Sequence, residues 1–293
     1  MPYDHRSPVT RRLPAALAAL LCSAALAGCG ASSEAAQGAR GPAPAATATT
    51  TTPAAPAPSP TPDAQPLAGR TIVVDPGHNP GNFRHTREIN QKVDIGTGLK
   101  ECDTTGTSTN ASGGKAAYTE AAFTLDVSHR LRDLLEARGA TVVLTHDADR
   151  PYGPCIDERA RTGNGAEADA VVSVHADGSA QGNRGFHVIV PTKVKKGSAD
   201  TGPIVAPSRT LGERIAAAFG RATGTAPANY LGDGTGLDVR SDLGGLNLST
   251  VPKVFVECGN MRDPKDAALL TSGAWRQKAA QGIADGIVTY LQG

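Results

Sequence analysis

A succession of strand, helix and strand between residues 71 and 145 constrains the fold more than any other feature of the sequence. Thr71–Val74 is a run of four β-branched residues, which is typical of a short buried strand. Asp75-Pro76-Gly77 then ends the strand, because proline lacks a ladder donor and glycine permits a turn. Apolar residues recur with helical spacing over 119–139, and Thr141–Thr145 is a second apolar run. This order predicts a parallel, right-handed unit.

The rest of the chain continues this alternation of strands and helices. Further strands are predicted at Ala170–His175, Gly185–Val190 and Val254–Glu257, and further helices at Ile156–Ala166, Ser208–Arg221 and Ala274–Leu291. The glycine-rich stretch 224–251 is predicted to be loop. We therefore expect residues 69–293 to form a single α/β domain. Its sheet should be mostly parallel and twisted, with about six strands flanked by helices on both faces.

The first 68 residues have the composition of a targeting segment and a tether. Residues 1–28 combine a basic start with an apolar run and end in Leu26-Ala27-Gly28, directly before Cys29. This tetrapeptide resembles the bacterial lipobox, in which the cysteine carries lipid; the alternative is an ordinary secretory signal with an incidental cysteine. Residues 29–68, rich in Ala, Pro and Thr, should form an extended disordered tether. We expect an exported protein that is anchored by its lipid to the outer face of the cytoplasmic membrane, facing the cell wall.

Three cysteines remain in the predicted domain. Cys102 and Cys155 both lie in loop sequence, which makes them candidates for a disulfide in an exported protein, whereas Cys258 follows a strand and should be a small buried residue. The formal net charge of +1 gives no reason to expect nucleic acid as a partner. We expect a monomer whose only attachment to the membrane is the N-terminal lipid.

Residues that can bind a metal stand at the ends of predicted strands. His78 follows the first strand, His175 ends another, and Glu257 ends the last. Glu120, at the start of the first helix, lies on the apolar face of that helix and needs a partner inside the fold. Parallel strands bring their carboxyl ends to one edge of the sheet. Two imidazoles and one carboxylate form the ligand set of many catalytic zinc sites, and a second carboxylate can serve as general base.

Four stretches carry a family resemblance over roughly residues 69–293: Val73–His78, Glu120 with its helix, Ser173–Asp177 and Val254–Gly259. In order and spacing they resemble the motifs of the zinc-dependent N-acetylmuramoyl-L-alanine amidases of the Amidase_3 family. The resemblance implies that His78, Glu120 and His175 bind Zn²⁺ and that Glu257 is the catalytic carboxylate. It also implies hydrolysis of the amide between N-acetylmuramic acid and L-alanine of the peptidoglycan stem peptide by a zinc-activated water. The substrate would be peptidoglycan or a muropeptide.

Some positions depart from the family pattern. His146, Asp177 and Asn260 stand where the family usually has arginine, asparagine and phenylalanine. These departures bear on the fit of the substrate and leave the expected ligands and base in place. Asp75 could itself be a ligand, but we expect it to orient His78 without binding the metal.

Two other function classes remain open at this point. One is a zinc peptidase that cuts within the stem peptide, and the other is a non-catalytic peptidoglycan-binding lipoprotein that kept the fold. The polar stretch from Asn79 to Lys115 joins the first expected ligand to the second. It is expected to contain a small hairpin, to lie along the cleft and to limit which peptidoglycan chains reach the metal.

Overall fold

The computed structural model describes residues 65–111, 114 and 116–293 of the chain. The predicted signal segment 1–28, the expected lipidation site Cys29 and the tether up to residue 64 lie outside these residues. The structure moves the predicted boundary of the tether, because Leu67 is fully buried in the core and its N–H donates to Arg138 O at 3.0 Å. Within the described part of the chain, no helix combines the length and the apolar character that a membrane span requires.

The secondary structure follows the predicted alternation. The strands are β1 (Thr71–Pro76), β2 (Lys92–Asp94), β3 (Leu99–Glu101), β4 (Thr141–Leu144), β5 (Ala170–Asp177), β6 (His187–Pro191), β7 (Lys195–Lys196), β8 (Ala199–Asp200), β9 (Leu237–Arg240) and β10 (Lys253–Asn260). The helices are α1 (Thr86–Ile89), α2 (Glu120–Glu136), α3 (Ile156–Gly165), α4 (Val205–Thr223), α5 (Gly244–Asn247), α6 (Pro264–Leu270) and α7 (Gly273–Leu291).

The central sheet has six strands in the order β4-β1-β5-β10-β6-β9. Strands β4, β1, β5 and β10 are mutually parallel, whereas β6 runs antiparallel to β10 and β9 pairs in parallel with β6. The mostly parallel sheet is therefore as predicted. The glycine-rich stretch predicted to be loop contains one strand, β9, which is a short edge strand that pairs with β6.

Alternation along the strands gives the sheet two different faces. One face is apolar and packs against α2, α4 and α7 through a fully buried cluster that includes Ile72, Val74, Val172, Val174, Val254 and Val256. The residues between them point to the other face, where α3 and α5 lie: Asp75, Ser173, His175, Lys253, Phe255 and Glu257. The central strands thus place a polar set on one face of the sheet, near the carboxyl ends of the parallel strands.

The segment between β1 and α2 is tied to the domain by a covalent bond. Cys102 and Cys155 form a disulfide with their Cα atoms 4.3 Å apart, the pairing predicted from the sequence, and Cys258 is free and buried. The expected hairpin is present as β2 and β3. Ile95 in its turn is buried, so the tip of the hairpin packs against the domain.

Candidate metal and catalytic site

His78 follows β1 in a left-handed backbone conformation, with φ of 62°, which non-glycine residues adopt only when their surroundings hold them there. The Arg159 guanidinium provides such a restraint, since its NH2 donates to His78 O at 3.0 Å. The Nδ1 atom of His78 lies 3.1 Å from Thr104 O and donates a hydrogen bond to it. The Nε2 atom lies 3.2 Å from Glu120 Oε2.

Glu120 is the first residue of α2, and the Thr119 hydroxyl caps the helix by accepting from Ala122 N–H at 3.3 Å. Its carboxylate is buried and accepts hydrogen bonds from Thr107 N–H at 2.9 Å and Ala176 N–H at 3.2 Å. Burial alone would raise the pKa of Glu120, but the charges of the two histidines hold it well below its usual value. Glu120 is therefore an ionised carboxylate fixed at the helix N-terminus.

His175 lies on the polar face of β5, with Nδ1 3.0 Å from Glu120 Oε1. Its ring stacks on Phe255, with centroids 5.3 Å apart, and meets the His78 ring edge-on at 5.1 Å. Gly77 lies directly against the ring, because a Cβ atom there would be 2.3 Å from His175 Cε1. The His175 ring is thus held by close packing on two sides.

These three side chains fit a metal ion. One ligand atom from each of His78, Glu120 and His175 lies within 4.8 Å of the others. Adjacent ligand atoms of a tetrahedral zinc ion lie about 3.3 Å apart, given bonds of about 2.0–2.2 Å, so the three side chains are close enough to share one ion. Burial lowers the pKa of His78, but the negative charge of Glu120 and the contact with Asp103 outweigh it and raise that pKa to about 10. The site therefore attracts positive charge, as a divalent cation requires.

Glu257 is the neighbour of His175 across the β5–β10 pair. It lines a cleft of about 290 Å³ together with His78, Glu120 and His175. Its Oε2 atom is buried without a hydrogen-bond partner among the described residues. Burial raises the pKa of Glu257 well above its usual value, and the carboxylates of Glu120 and Asp177 raise it further. A carboxyl group with a raised pKa next to a metal site is suited to take up and release a proton.

Asp75 has a different neighbour from the one expected. It does not contact the His78 ring; its carboxylate accepts from Arg159 NH1 at 2.8 Å and from Lys253 Nζ at 3.1 Å. The residues beside the His78 ring are Thr104 and Asp103, whose Oδ1 lies 3.5 Å from Nδ1. Arg159 links the two acidic residues, because its NH2 also donates to Asp103 Oδ2 at 3.0 Å. Asp75 therefore acts on His78 only through Arg159, which corrects the expectation of direct support.

Several residues of this arrangement were missed at the level of the sequence. Arg159 and Lys253 are almost fully buried, although charged residues in a helix and at the start of a strand are usually exposed. Tyr230 donates to Asp177 Oδ2 at 2.6 Å, and this contact with a residue 53 positions away left no signal in the sequence. The Asp177 carboxylate also raises the pKa of Glu257, as described above.

The other histidines in the described part of the chain lie outside the three-residue ligand cluster. His85 faces Glu88, His129 pairs with Asp147, and His146 bonds to Pro76 O at 3.0 Å. His187 is buried beside Glu257 on the neighbouring strand. It does not belong to the three-residue ligand cluster within the described part of the chain.

Comparison with known proteins agrees with this geometry. The family model for N-acetylmuramoyl-L-alanine amidases (Amidase_3) matches residues 72–289. An N-acetylmuramoyl-L-alanine amidase from Mycobacterium tuberculosis is 39% identical over 226 residues, which cover 77% of this chain and 88% of the relative. The crystal structure of an amidase from Mycobacterium smegmatis superposes with a TM-score of 0.69 at 38% identity, covering 77% of this chain and 98% of that one. An apo amidase from Mycobacterium abscessus gives 0.68 at 40% identity, covering 77% and 100%.

Proposed function

This chain belongs to the N-acetylmuramoyl-L-alanine amidase family, and from that premise we propose the metal, the base and the place in which it works. It is a peptidoglycan hydrolase that cleaves the amide between N-acetylmuramic acid and L-alanine of the stem peptide. The observation that carries the proposed chemistry is the meeting of His78, Glu120 and His175 beside the buried carboxyl of Glu257.

The proposed metal is zinc, held by His78, Glu120 and His175. Nitrogen and carboxylate ligands from three residues suit catalytic zinc, which keeps a further position open. When bound there, zinc supplies Lewis-acid chemistry, lowering the pKa of a water molecule and polarising the carbonyl of the substrate. The Thr104 carbonyl, which accepts from His78 Nδ1, would fix the orientation of the His78 ring.

Glu257 is the proposed general base and acid. Its Oε2 atom would accept a proton from the attacking water and then donate that proton to the nitrogen of the leaving L-alanine. The raised pKa of Glu257 supports this role, because a group that releases the proton again must hold it for part of the cycle. Burial of its Oε2 atom also limits the access of bulk water to the transfer.

We place the working protein outside the cytoplasmic membrane, where its polymeric substrate lies. The disulfide between Cys102 and Cys155 supports export, because such bonds persist in oxidising compartments. Attachment through a lipid on Cys29 remains part of the proposal. Cleavage of the signal at that residue is measurable by mass spectrometry of the protein extracted from membranes.

The test of the proposed function is digestion of purified peptidoglycan, followed by analysis of the released fragments. We expect free stem peptides that begin at L-alanine, and their release should stop when the protein is treated with a chelator. Shortened peptides that lack L-alanine would instead identify a peptidase. No release of soluble fragments from peptidoglycan would leave only a binding role.

A further inference from the structure

We propose that the pocket beside Phe83 binds a sugar of the glycan strand next to the cleaved muropeptide. The inference rests on the proposed function and adds a subsite to it. Phe83 belongs to the loop after β1 and is 60% exposed, although it stands only five residues after a proposed metal ligand. It lines a cavity of about 220 Å³ that shares Gly106 and Thr107 with the catalytic cleft.

A single exposed apolar side chain is common on proteins, but buried hydrogen bonds hold the backbone around Phe83. The neighbouring Asn82 is fully buried, donates to Thr104 O at 2.7 Å and accepts from Gly153 N–H at 2.9 Å. Asn79 is also buried and donates to Gly153 O at 2.9 Å. Because both amides are fixed, the backbone that carries the aromatic ring is held in place before any ligand arrives, which lowers the entropic cost of binding.

The lining of the pocket matches the chemistry of a neutral sugar. An aromatic ring has a negative face, on which the C–H groups of a pyranose can pack. Around the ring are side chains that carry hydrogen-bonding groups, namely Thr105, Thr107, Ser108, Thr119 and Arg262. Arg262 is positioned by Thr107 Oγ1 at 3.3 Å and Asn110 Oδ1 at 2.9 Å. No acidic side chain is among the described residues that line the pocket.

The order of the strands gives the direction of the substrate. Along the sheet, β1 precedes β5 and β5 precedes β10, so His78, His175 and Glu257 follow one another across the edge. Glu257 would give its proton to the nitrogen of the leaving peptide, so the peptide belongs on the β10 side. The lactyl group and its sugar then extend towards the β1 side, where the Phe83 loop lies.

The test compares two substrates that share the cleaved amide. One is a disaccharide peptide of N-acetylglucosamine and N-acetylmuramic acid, and the other is a lactoyl peptide without sugar. For Phe83→Ala we expect the kcat/KM for the disaccharide peptide, divided by that for the lactoyl peptide, to fall roughly tenfold, which is the loss expected for one aromatic contact. Phe83→Tyr, which keeps the ring, should restore the ratio. Leu99→Ala is the matched control, because Leu99 is 68% exposed on the hairpin and lines none of these cavities in the described part of the chain.

A second measurement separates this inference from the proposed function. Glycan strands stripped of their peptides should bind the parent protein and bind Phe83→Ala at least several-fold more weakly. Phe83-dependent binding without any hydrolysis by the parent would keep the sugar subsite and remove the proposed function. An unchanged ratio of the two kcat/KM values in Phe83→Ala would overturn the subsite. If both kcat/KM values fell by the same factor, the pocket would instead bind the lactyl-peptide part that the two substrates share.

Discussion

Arg159 and Asp75 form an ion pair beneath the candidate metal site, with NH1 2.8 Å from Oδ1 and both side chains almost fully buried. Asp75 belongs to β1 and Arg159 to α3, so the pair joins the sheet to the helix that covers its polar face. Arg159 also donates to the carbonyl oxygens of Pro76 and His78. One guanidinium group therefore holds the backbone on both sides of the turn that carries the first ligand.

Arg159→Met should lower the free energy of unfolding by about 3–5 kcal/mol, because it leaves buried carboxylates without their partner. Arg161→Ala is the control on the same helix. Arg161 pairs with Asp157 but is 65% exposed, so its loss should cost less than about 1 kcal/mol. Denaturant unfolding of the two variants measures the difference. Equal midpoints for both would show that the buried pair does not stabilise the fold.

Asp75 should make the stability of the protein sensitive to acid. Burial alone would raise its pKa, but Lys253 and Arg159 hold the pKa of Asp75 well below its usual value. The unfolded chain then binds a proton more readily than the folded one, so this contribution is complete above about pH 4 and is lost as pH falls below it. The slope contributed by this one carboxyl is at most about 1.4 kcal/mol per pH unit.

The free energy of unfolding, measured between pH 6 and pH 3 by denaturant titration, tests this dependence. Asp75→Asn should fall less steeply with acid than the parent, although it starts from a lower stability. Asp133→Asn, at a side chain 68% exposed, should keep the parental slope. A parental slope in Asp75→Asn would assign the acid sensitivity to other groups.

Gly77 is expected to be irreplaceable for metal binding. A Cβ atom at this position would lie 2.3 Å from His175 Cε1, so Gly77→Ala must displace the ring that supplies a ligand. We expect a folded protein whose zinc affinity falls at least tenfold, in the range seen when the support of a ligand is disturbed. Competition with a fluorescent chelator measures the affinity. Gly98→Ala is the control, since no described atom lies within 4 Å of its added Cβ; a parental affinity in Gly77→Ala would mean that His175 does not bind the metal.

The sequence was sufficient to predict the strands that carry the site, because short apolar runs rich in β-branched residues, such as Thr71–Val74 and Ala170–Val174, are typical of buried parallel strands. The sequence also placed His78 and His175 at strand ends and Glu120 at a helix start, and the structure brings these three side chains together. The sequence did not predict β9, since Leu237–Arg240 is a short edge strand among glycines. Nor did it predict that Lys253 and Arg159 would be buried. Their partner Asp75 is 178 and 84 residues away, and only the folded chain brings these charges together.

We propose that His78, Glu120 and His175 hold the metal while Glu257 transfers the proton. The most direct measurement is the zinc content of purified Glu257→Gln and His175→Ala, determined alongside hydrolysis of peptidoglycan. Glu257→Gln should keep its zinc and lose roughly 10²–10⁴-fold in turnover, because the base is not needed to bind the metal. His175→Ala should lose both zinc and activity. A zinc-free Glu257→Gln protein, together with a Glu120→Gln protein that keeps its zinc, would show that the two carboxylates have the opposite roles.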